Sequence, residues 1–99
     1  MRIHRPNLLQ AFWMRHPDAE ASLKAWFYEA KSALWVSLPE LKARYPRSVV
    51  LQDGSVMFDL CDRKYALTVR IDFTARIILV RAIALHPDHA RSPRRGLDA

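Results

Sequence analysis

His86 and His89 flank Pro87-Asp88 near the end of the chain. Histidine is the side chain best suited to moving protons near neutral pH. A His-x-x-His pair also suits a metal ion, but a closed site needs more ligands than two. Proton transfer is therefore the chemistry this spacing points to, and no metal or other cofactor is expected. Arg81 interrupts the otherwise apolar run Ile77–Leu85. An unpaired cation buried there would cost several kcal/mol. Arg81 must pair with an acid, Asp59 or Asp72, or point into a wet groove where it can meet an anion. Lys64 and Arg70 share one face of a strand by strict alternation. They stand about 20 Å apart at about 3.4 Å per residue. That spacing suits a two-point clamp on an extended polyanion; the alternative is a solvated face with charges protecting an edge.

The charge balance supports an anionic partner. The chain of 99 residues has a formal net charge of +6. Eight basic residues lie between positions 63 and 95 (among them Arg63, Lys64, Arg70, Arg76 and Arg81) against two acidic ones, while segment 1–62 is nearly neutral. Such a segment attracts nucleic acid, although basicity also serves plain solubility. With only two glycines, Gly54 and Gly96, no Gly-rich phosphate loop can be built. The single cysteine, Cys61, excludes an internal disulfide and a thiolate metal site, and it reads as a small core or edge residue rather than a catalytic thiol. That usage fits a reducing cytoplasm. The N-terminus has no apolar segment after its charges, so no signal peptide is expected, and no apolar run is long enough to span a bilayer.

The elements that must position these residues follow from periodicity. Residues 2–4 suit a short strand. Asn7 and Gln10 have capping-box spacing, opening a helix that should end near His16-Pro17. A second helix is expected from Asp18 to Leu34, with Leu23, Trp26, Phe27, Ala30 and Leu34 as its apolar stripe. Ser37-Leu38-Pro39-Glu40 is another capping box, starting a short third helix to about Arg44. The period then changes to two. Strands are expected at 48–51, 56–60, 64–72 and 76–85, with Asp53-Gly54 turning the first pair. Helices come first and an antiparallel meander second, so the class is α+β. Residues 1–90 form one domain, and 91–99 read as a basic, disordered tail.

Beyond periodicity, the chain resembles the HigB toxins of the RelE-like group of type II toxin–antitoxin systems. The resemblance rests on His16-Pro17-Asp18-Ala19-Glu20, Leu23-Lys24-Ala25-Trp26, Trp35, Leu41-Lys42-Ala43, Val56-Met57-Phe58, Lys64–Asp72 and Val80-Arg81 with His86 five residues on. It spans about residues 1–88. It implies a curved antiparallel sheet with the N-terminal helices on one face. It implies an endoribonuclease that cleaves mRNA on the translating ribosome and arrests growth. It also implies a HigA-like helix-turn-helix antitoxin, through which alone operator DNA would be met. Lys64, Arg70, Arg81 and His86 match the family pattern. Its usual ending, Thr-His-x-x-Tyr-Asp, here reads Leu85-His86-Pro87-Asp88-His89-Ala90, so His89 stands in the tyrosine's place.

The reaction implied is attack of a ribose 2′-OH on the adjacent phosphate. It needs a base, an acid and cations for the charged phosphorane. His86 and His89 take the proton-transfer roles and Arg70 and Arg81 the charge; Lys64, Arg63 and Arg76 hold the RNA backbone. Strict alternation would put Arg81 and His86 on opposite faces, so a bulge or the strand end must intervene. Two rival readings remain: a degenerate, non-catalytic member that binds RNA or a partner, and a basic structural protein of ribosomal type.

Overall fold

The computed structural model describes residues 1–86. In chain order the elements are β1 (Arg2–His4), α1 (Asn7–Arg15), a 3₁₀ turn (Pro17–Ala19), α2 (Glu20–Ser32), α3 (Leu38–Arg44), β2 (Val49–Val50), β3 (Val56–Leu60), β4 (Tyr65–Asp72) and β5 (Ile77–Leu85). His89 and the expected tail at 91–99 lie outside the described residues.

The helices depart from expectation at their ends. Asn7 does not cap α1. Pro6, with φ −66° and ψ −18°, already has helical geometry, and Leu9 donates to its carbonyl (3.0 Å). Asn7 is thus the first helical residue, and the expected capping box is absent. The second helix is shorter than predicted at both ends. Pro17–Ala19 form a 3₁₀ turn that leaves Asp18 outside α2, and the helix stops at Ser32. Beyond it the backbone is extended, so Leu34 and Val36 point out and Trp35 points in. Trp35 packs edge-on to Tyr45 at 5.7 Å between ring centroids, a contact a continued helix would forfeit. The expected Ser37 cap does form: its hydroxyl accepts from the Glu40 amide, and Glu40 Oε1 accepts from the Val36 amide.

The five strands lie in the order β1-β5-β4-β3-β2. The meander β2–β5 is antiparallel as expected, but β1 runs parallel to β5, so the sheet is mixed. No hairpin constrains β1. It leads into the helices and is paired with β5, 75 positions on in the pairing of Ile3 with Ile78. Cross-strand partners share a face. One face therefore carries Val56, Phe58 and Leu60, then Tyr65, Leu67 and Val69, then Ile78 and Val80. These pack on Leu9, Leu23, Trp26, Ala30 and Leu41 to form the core. Among the described residues every helix that contributes to the core packs on this face, and none packs on the opposite one, here termed the open face.

The β4–β5 register shifts once. Thr68 opposes Ala82 and Val69 opposes Val80, which leaves Arg81 as an extra residue in β5. A bulge of this kind re-aims side chains locally.

Leu67 is fully buried at the centre of the core. Leu67→Ala is expected to destabilise the fold by about 2–5 kcal/mol, measured as a shift in the urea unfolding midpoint.

Candidate functional site

The open face has two polar ends. At the first, residues 52–55 turn the chain between β2 and β3. Gly54 takes φ +89°, which favours glycine. Asp53 Oδ1 accepts from the Ser55 amide at 2.9 Å, an Asx turn. Arg70 Nη1 donates to the Asp53 carbonyl at 2.7 Å. Arg81 Nη1 donates to Asp53 Oδ2 at 3.3 Å and contacts Ser55 Oγ at 3.4 Å. The bonded Ser55 amide, then the nearby arginines, hold the Asp53 carboxyl below its ordinary value. Arg81 is thus paired with neither Asp59 nor Asp72. It follows the core-facing Val80 and stands on the open face, where its side chain is 45% exposed.

At the second end, His86 follows β5 and still donates its amide to the Lys64 carbonyl (2.9 Å). Its Nε2 lies 2.9 Å from Asp59 Oδ1, and the imidazole is only 6% exposed. Arg63 Nε stands 3.7 Å from the other carboxylate oxygen, Asp59 Oδ2. Asp59 pairs with Ala66, which pairs with Ala84, so all three belong to the open face. Between the two ends lie Met57, Thr68 and Ala82. From Ala66 to Arg70 is four strand residues, about 13 Å at about 3.3 Å each.

Three of the predicted residues thus share one face: Arg70, Arg81 and His86, with Arg63 at its end. Two do not join them. Lys64 sits just before β4, and its ammonium turns to Asp18 Oδ2 (2.6 Å) above the Tyr65 ring. Tyr65 donates to Asp18 Oδ1 at 2.8 Å. Tyr65 belongs to the helix-covered face, so the expected clamp of Lys64 with Arg70 does not form. The Lys64 bond, then that of Tyr65, draws the Asp18 carboxyl below its usual value, and burial pushes the Tyr65 phenol up. Arg76 lies in the β4–β5 turn, eight strand residues from the His86 end, with φ +60°. Sequence reasoning missed Asp53 and Asp18 as partners and considered Asp59 only for Arg81. The one available signal was Asp53-Gly54, which reads as turn chemistry alone. Among the described residues no group of three or more His, Cys, Asp or Glu is placed to hold a metal ion.

The segment bearing Arg63 is strained. Cys61, Asp62 and Arg63 all have positive φ (52°, 56° and 70°), and none is glycine. It is closed by the Lys64 amide donating to the Cys61 carbonyl (3.1 Å) and braced by Cys61 Sγ near the Asp18 carbonyl (3.4 Å).

Residues 19–91 match the family model described as the HigB toxin, RelE-like toxic component of a toxin–antitoxin system. The chain belongs to the HigB toxin family. It is therefore the toxin of a toxin–antitoxin pair, with an antitoxin as partner. The matched span contains α2, α3 and strands β2–β5, and with them Asp53, Asp59, Arg70, Arg81 and His86. No curated protein matches the sequence. Among the described residues no helix of the toxin is long and apolar enough to cross a membrane.

Two outcomes follow from the turn and its brace. Asp62→Gly relieves about 1–2 kcal/mol of left-handed strain and adds about 0.5–1 kcal/mol of chain entropy. The variant should gain up to about 1.5 kcal/mol in urea unfolding by that difference. The Asp18 carboxyl is depressed on folding, so its contribution is present above the unfolded value of 3.8 and is lost as pH falls through the lower folded one. Asp18→Asn should flatten the acid limb of the stability–pH curve, measured as urea midpoints across that range.

Proposed function

We propose that the toxin is an endoribonuclease that cleaves mRNA along the open face of its sheet. The observation that carries this reading is the His86–Asp59 pair at one end of a face whose other end presents Arg70 and Arg81. RNA supplies the polyanion that these cations match. In the reaction, the 2′-oxygen forms a bond to the adjacent phosphorus and the bond from phosphorus to the 5′-oxygen breaks. The 2′-hydroxyl gives up its proton to a base, and the leaving oxygen takes one from an acid. His86 is one of these groups. Asp59 is its positioning residue, fixing the ring through Nε2. His89 is assigned the second proton-transfer role. Arg63, brought to the same carboxylate as His86, and the Arg70–Arg81 pair hold the RNA backbone. Lys64 is turned to Asp18 and Arg76 lies in the β4–β5 turn, and neither is assigned to it.

The same reading places the toxin in the cytoplasm, acting on messages under translation. A HigA-like helix-turn-helix antitoxin would neutralise it, and operator DNA would be met only through that antitoxin. The near-complete enclosure of His86 favours a second reading, a non-catalytic member that binds RNA or a partner. Expression of the intact chain, with growth and mRNA integrity followed, separates the two. The nuclease reading expects growth arrest and cleaved messages. His86→Ala should lower cleavage by about 10²–10⁴-fold, the usual worth of a positioned proton-transfer group. Intact messages with the unaltered chain would support the second reading.

A further inference from the structure

Asp53 occupies the place where the arginine pair would otherwise meet an anion. Two guanidinium groups brought together repel each other; here Arg81 spends Nη1 on the Asp53 carboxylate, and Arg70 spends Nη1 on the Asp53 backbone carbonyl beside it. Five N–H donors are available on each guanidinium. Most of their donors therefore remain for another acceptor, and both side chains are exposed. Asp53 is itself more than half exposed at 54% and sits at a turn rather than in a strand. Its Oδ1 accepts from the Ser55 amide, which leaves Oδ2 alone to serve Arg81. The cluster also stands about 13 Å from the Asp59–Ala66 level at about 3.3 Å per strand residue. That is about the reach of two nucleotides of extended strand, so this cluster and His86 would not hold one phosphate.

We infer that Arg70 and Arg81 form a subsite for a backbone phosphate away from the cleaved bond, and that Asp53 fills it as a built-in carboxylate until RNA displaces it. This rests on the RNA reading given above. It adds that the toxin's affinity for RNA is held down by its own turn. Displacing Asp53 releases fewer counterions than filling a bare arginine pair, so the salt dependence of binding is blunted as well.

The test measures binding of a 2′-O-methyl RNA oligonucleotide, which lacks the attacking hydroxyl, by fluorescence anisotropy at several salt concentrations. Asp53→Asn keeps an oxygen for the Ser55 amide and removes the charge. It should tighten binding by about two- to five-fold, the usual worth of an exposed ion pair. The plot of log affinity against log salt should steepen by up to about 0.7, the value for one single-strand phosphate contact. Arg81→Ala should weaken binding and make that plot shallower. If Asp53→Asn does not fold, Asp53→Ser, which also retains an acceptor, carries the same expectation. Weaker or unchanged binding in the Asp53 variant, with Arg81→Ala still weakening it, would overturn the stand-in and leave the RNA reading intact. Unchanged binding in Arg81→Ala would overturn the subsite. No RNA binding by the unaltered chain would overturn both.

Discussion

A single extra residue in β5 decides which side chains share the open face. Up to Val80 the strand alternates in step with β4, with Ile78 and Val80 in the core. Without a shift, Arg81 and His86, five residues apart, would fall on opposite faces. The bulge at Arg81 absorbs one residue, so Ala82 and Ala84 pair with Thr68 and Ala66 on the open face. His86 then arrives beside Asp59, and Arg81 reaches Asp53 on that same side. The run that looks buried on both faces can hold an arginine because that position faces away from the helices, toward Asp53.

The cations are then organised by acids, most of them at turns or strand ends. Asp53 in the β2–β3 turn holds Arg81 through its carboxylate and Arg70 through its backbone carbonyl, Asp59 near the end of β3 meets His86 and Arg63, and Asp18 in the 3₁₀ turn takes Lys64. The pairs at Asp53 and Asp18 are exposed, and such pairs contribute little to stability. Their effect is on direction. Asp18 draws Lys64 away from the open face, whereas Asp53 gathers two arginines onto it. The His86–Asp59 pair differs because it is enclosed, at 6% and 13% exposure. An enclosed pair is costly to break, since the remaining polar group would lack a partner. That gives the His86 ring a fixed orientation, which proton transfer requires.

Rigidity at this end is bought with local backbone strain at Cys61–Arg63. Such conformations persist where the surroundings over-determine them. Here Asp18 links the turn to the helices through Lys64, Tyr65 and the Cys61 thiol. The helix layer therefore stabilises the core and also fixes the turn that carries Arg63.

Periodicity in the sequence determined the helices, the meander, the Ser37 cap and the core stripe, because each depends on residues a few positions apart. Leu23, Trp26 and Ala30 repeat at helical spacing, and Tyr65, Leu67 and Val69 alternate. The basic character of the second half and the candidate residues Arg70, Arg81 and His86 were legible too, since an arginine in an apolar run or a histidine after a strand is a local anomaly. Only the tertiary structure decided the parallel placement of β1, the choice of Asp53 for Arg81, and the meeting of His86 with Asp59 across 27 residues. It also turned the Lys64 ammonium to Asp18. Alternation places a side chain on a face only while the register holds, and one bulge reverses every residue beyond it.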